Sequence, residues 1–76
     1  MNKHNVEEAI LALLFFGHWV ESPHGVARSW KSFDRDAMKR LHERGLISNP
    51  ATKAKSVTLS EEGLRIAKEA FDKLLK

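Results

Sequence analysis

The chain has 76 residues, no cysteine and a formal charge of +3, which bounds it to one domain (1–76) without disulfides and fits a reducing compartment. A single core of this size supplies only about 3–5 kcal/mol, so pairing of two copies is the remaining common supplement. The longest apolar run, residues 9–16, follows two glutamates; it falls short of the ~20 residues that cross a bilayer and lacks a basic leader, so the chain is expected to be soluble and cytoplasmic.

A first helix is expected over 5–17, capped by Asn5, with Glu8 in capping-box position and Gly17 as terminator. Val6, Ile10, Leu13 and Leu14 form one apolar stripe and Leu11 and Phe15 a second. Such a helix buries more than one face, one against the C-terminal helix and the other within the monomer or on a second subunit. Residues 18–32 admit two readings. Ser22-Pro23 can start a short helix over 23–31, with Val26 and Trp30 on one side; equally, the segment is a loop ending in an extended piece around Ser29–Lys31.

Ser32 is expected to cap a helix over 33–44, whose face Phe33, Ala37, Met38 and Leu41 enters the core and which Gly45 ends. Residues 46–48 and 55–59 read as two short strands joined at Asn49-Pro50, with Val57 and Leu59 facing inward. Ser60 caps a last helix running to the chain end, with Leu64, Ala67, Phe71 and Leu74 as its stripe and Ala70 and Leu75 widening it. The fold class is therefore α+β, mainly helical: helix, short helix or loop, helix, β-hairpin, helix. That order is how a winged helix-like domain is built around a reading helix and a wing.

Charge follows the same plan. Residues 1–27 carry net −2, residues 56–76 net zero, and residues 28–55 net +5 from eight basic and three acidic side chains. A basic window of this kind is the footprint of a polyanion binder, or a solvated helix face. Arg35 and Lys39 form a ridge one turn apart, while Asp36, Arg40 and Glu43 pair with one another at helical spacing. Lys53 and Lys55 stand on the wing, where they reach phosphates and position the protein without reading sequence. Arg28 and Lys31 add phosphate contacts if their segment packs alongside. The DNA-binding candidates are thus Arg35, Lys39, Arg40, Lys53, Lys55, Arg28 and Lys31.

Neither an enzyme, a metal site nor a cofactor is expected. His4, His18, His24 and His42 lack paired spacing, and His18 and His24, with Glu21 between them, read as loop residues. Trp19, Trp30, Phe33 and Phe71 are taken as core residues rather than a base-stacking platform.

Met38 to Ile47, Lys55 to Leu59 and Ser60-Glu-Glu-Gly63-Leu64 resemble the second half of bacterial winged-helix regulators. In those, the helix before the Gly45-Leu46-Ile47 step reads DNA and the Thr58 to Gly63 step leads from wing to last helix. Over nearly the whole chain, Trp30-Lys31-Ser32-Phe33-Asp34, Asp36-Ala37, Arg40-Leu41-His42, Gly45-Leu46-Ile47 and Lys53 to Val57 resemble a small bacterial family described only as a domain of unknown function. A tryptophan often stands there where this chain has Arg35. The function expected is therefore that of a homodimeric regulator reading duplex DNA with helix 33–44 and a basic wing, paired through helix 5–17 or the C-terminal helix. The alternative is a protein–protein interaction module or inhibitor on the same scaffold.

Overall fold

A computed structural model describes residues 3–21, 25–31 and 33–75 of the chain. Their order is α1 (Lys3–Phe16), β1 (Trp19–Glu21), β2 (Val26–Trp30), α2 (Arg35–Glu43), β3 (Ser56–Thr58) and α3 (Glu61–Leu74). The class is α+β, three helices and an antiparallel sheet in the order β1-β2-β3. α1 packs along α3 and also touches α2 and β2.

The short helix over 23–31 does not form. Val26–Trp30 is the central strand, with Trp19 opposite Arg28 and Glu21 opposite Val26 on one side, and Arg28 opposite Thr58 and Trp30 opposite Ser56 on the other. The extended alternative is nearer, but the strand starts three residues before Ser29. Alternation decides it: Ala27 and Ser29 turn inward and are buried, while Val26 and Trp30 turn out, and valine and tryptophan suit a pleated surface. Small inward residues also let the strand approach α1, so that the Ser29 hydroxyl donates to Leu14 O at 2.9 Å. The Ser22-Pro23 start and His24 lie outside the described residues.

The hairpin expected over 46–59 forms in reduced shape. Ile47 and Leu59 make an isolated bridge, Ser48 N–H donates to Thr58 O at 2.9 Å, and β3 spends its other edge on β2.

Two helix starts differ from expectation. α1 begins at Lys3, so Asn5 sits inside it rather than capping it. α2 begins at Arg35, because the Asp34 carboxylate accepts from Ala37 N–H at 2.9 Å and serves as the cap; Phe33 stays outside the helix, and Ser32 is not among the described residues. The α2 end is as expected. Gly45 takes φ 76°, Gly45 N–H donates to His42 O and Leu46 N–H to Leu41 O, a Schellman arrangement that needs a residue without Cβ. Ser60 caps α3 by accepting from Gly63 N–H at 2.9 Å.

Leu11, Leu14, Met38, Leu41 and Val57 are the largest fully buried side chains. Three expected core residues of the helices stay outside. Leu13 is 42% exposed, and Leu74 and Leu75 are about as open. The face α1 turns inward carries Glu7, Ile10, Leu11 and Leu14, which leaves Leu13 beside Phe16 on the outward side.

Candidate functional site

The C-terminal stop of α2 turns the chain back, and the segment that follows returns along the helix. Between them lies a groove of about 890 Å³, lined by Arg35, Lys39 and Glu43 from α2, by residues 49–52 and by Phe33, which also packs against the core. The loop is shaped from two sides. Asn49 Oδ1 accepts from Ala51 N–H at 2.9 Å, and the Lys31 ammonium donates to Pro50 O at 2.8 Å and to Thr52 O.

The seven cations expected to face DNA separate into two sets. Lys31 spends its ammonium on those loop carbonyls. Arg28 bonds the Ser56 hydroxyl and pairs with Glu21 at 3.3 Å. Arg40 is held by Glu7 of α1 at 3.0 Å, not by Asp36 and Glu43 of its own helix as the spacing implied. Tertiary contact overrides a helix-surface pairing worth only about 0.2–0.5 kcal/mol. Arg35, Lys39, Lys53 and Lys55 remain. All four are exposed and none makes an ion pair among the described residues. Two stand on α2 and two on the strand-leading segment just past the loop.

Glu7 was not singled out by sequence, although it lies four and seven residues before Leu11 and Leu14, at the spacing that puts all three on the inward face of α1. It is buried, and it accepts from Arg40 Nε and from Arg44 at 3.1 Å. Burial pushes its carboxyl up, but the two guanidinium groups outweigh that and hold it below the ordinary 4.5. The trio fixes the back of α2 to α1, which leaves the Arg35–Lys39 ridge toward the groove.

Two apolar surfaces also lie open. Trp19 and Trp30 meet on the outer sheet face with ring centroids 5.1 Å apart; Trp19 is half-buried, while the alternation of β2 turns Trp30 outward, 54% exposed, which overturns its reading as a core residue. At the far ends of α1 and α3, Phe16 is 73% exposed and stacks on Phe71 at 6.2 Å, with Leu13 and Leu74 on the same two helices. Among the described residues no group of three or more His, Cys, Asp or Glu is placed to hold a metal. His18 stacks on Phe15 and bonds its carbonyl, and His42 Nδ1 lies 3.0 Å from Ile47 O. Among the described residues no helix is long and apolar enough to cross a membrane.

These features define a small α+β domain with a basic groove between its middle helix and a braced loop. Residues 2–76 match the family described as a domain of unknown function (DUF6429), and the chain belongs to that family. It is also 42% identical over 74 residues to the uncharacterized protein y4hR of Sinorhizobium fredii, which covers 97% of this chain and 93% of that one. No solved structure matches.

Proposed function

We propose that the chain is a small winged helix-like DNA-binding protein, a regulator that meets duplex DNA with α2 and the basic segment 49–55. The observation that carries this reading is the partition of cations: among the seven candidates, Arg35, Lys39, Lys53 and Lys55 are taken up by neither an acid nor the loop, and of these Arg35 and Lys39 line the groove while Lys53 and Lys55 follow its loop in the chain. A helix bordered by a basic loop suits a duplex, whose major groove admits the helix while the loop meets the flanking phosphates. In this architecture the β1–β2 hairpin occupies the place where a helix-turn-helix would put its second helix, so α2 is braced by α1 through Glu7 instead.

Four phosphate contacts correspond to a salt slope near −3.6, so affinity for a duplex should fall roughly 150-fold between 50 and 200 mM salt. Anisotropy titrations with a labelled duplex at several salt concentrations read this directly. Arg35→Glu with Lys39→Glu should abolish binding while leaving the circular dichroism spectrum unchanged. Undiminished binding in that folded double variant would reject the assignment.

The DNA-binding form is a homodimer through the Leu13–Phe16–Leu74 surface, since an apolar patch of this kind on a small domain marks an interaction site. Sedimentation equilibrium should give a dimer for the native chain and a monomer for Phe16→Glu. A second reading, an interaction module without DNA binding, is favoured by the open Trp19–Trp30 face, because tryptophan and arginine dominate protein interfaces. No duplex binding even at low salt, together with loss of a purified protein partner on Trp30→Ala, would favour it over the first.

A further inference from the structure

We propose that the groove between α2 and the 49–52 loop seats an unpaired nucleic-acid strand, one base lying on Phe33 with its phosphates against Arg35 and Lys39. This rests on the reading of the basic face as a nucleic-acid surface and names the form that the groove itself takes.

The groove has two kinds of wall, and a duplex makes full use of only one of them. Arg35 and Lys39 offer free charge, which any phosphodiester satisfies. Phe33, Pro50 and Ala51 line the same space with apolar surface, and Phe33 is only half-buried. A duplex keeps its bases stacked inside and turns phosphates outward, so the most it can set against that apolar surface is a thymine methyl group at the edge of its major groove. An unpaired base has a flat face that stacks on an aromatic ring whatever its sequence. Cations beside an aromatic floor are the combination that single-strand binders use. Lys53 and Lys55 lie just beyond Thr52 and continue the charge past the loop. Glu43, near the C-terminal end of α2, lines the groove as well and repels phosphate there, which confines the strand's backbone to the Arg35–Lys39 end. Lys31 serves as a positioning residue, since its ammonium holds the opposing loop in place through Pro50 O and Thr52 O.

The test compares a labelled oligothymidylate, a duplex of equal length and a peptide of alternating glutamate and phenylalanine, each titrated against the full chain at one low salt concentration. The oligothymidylate should bind more tightly than the duplex. Phe33→Leu, which keeps apolar volume but removes the ring, should lower the strand-to-duplex affinity ratio by roughly 5-fold or more, the equivalent of losing one stacked base. Phe33→Trp keeps a ring and should hold or raise the ratio, which decides the matter even if the leucine variant fails to fold. A ratio unmoved in folded Phe33→Leu, a ratio lowered by Phe33→Trp, or a peptide that binds as tightly as the strand would overturn the proposal. Strand binding without duplex binding would remove the duplex reading and leave the groove assignment standing; the reverse pattern, with a Phe33-insensitive ratio, would do the opposite.

Discussion

Gly63→Ala should cost the chain a large part of its stability. A Cβ at this position would lie 1.9 Å from Leu46 O, which is backbone and cannot swing aside like the end of a side chain. On propensity alone alanine is favoured inside a helix by about 1 kcal/mol, so the two effects oppose each other and the clash decides. Relief requires α3 and the Leu46 strand to separate. Leu46 is buried, its carbonyl accepts from Ser60 N–H at 3.0 Å, and the Ser60 hydroxyl donates to Gly45 O at 2.7 Å. Separation therefore loosens the α3 cap as well as the core. Overpacking costs typically about 1–3 kcal/mol, occasionally more, and a core of this size supplies only about 3–5 kcal/mol. Urea titration followed by circular dichroism measures the loss; an alanine variant as stable as the native chain would show that the close approach is absent.

Glu7→Ala should cost about 1.5–3 kcal/mol through the loss of its hydrogen bonds to charged partners. The larger penalty for orphaning a deeply buried charge does not apply, because the Arg40 and Arg44 side chains are 30% and 47% exposed and can turn to water. The same group sets an acid limit. Its carboxyl titrates below 4.5 in the folded chain and near that value when unfolded, so its contribution is fully present above about pH 4.5. It is lost as pH falls further, through the folded value, where the unfolded chain binds the proton more readily. Melting curves of the native chain and Glu7→Gln should therefore converge as pH is lowered through this window. Curves that stay parallel down to acid would show that Glu7 carries no such linkage.

Legibility in the sequence followed the range of the interactions. The Gly45 stop, the Ser60 cap, the inward pair Val57 and Leu59 and the Met38–Leu41 face depend on neighbours within a few residues, and all stand where the pattern places them. Val26–Trp30 was ambiguous because a five-residue segment with apolar ends satisfies a helix and a strand alike; the sheet partners on both sides settle it. The groove was legible only as two separate lists of cations, one on a helix and one on a loop. The sequence contains the candidates, but which of them are already occupied depends on residues up to 33 positions away, as Arg40 and Glu7 show.

What the sequence by itself determined is the three helices, the extended pattern of residues 46–59 and the location of the basic window, because periodicity, caps and charge are local properties of a chain. The tertiary structure decided which charges remain available. Glu7 and Glu21 pair with Arg40 and Arg28, and the loop carbonyls take up Lys31, because packing brings these groups within a few ångströms of one another. It likewise decided that Trp30, Leu13 and Phe16 face outward: a small domain has too little interior to cover every apolar side chain that its sequence offers.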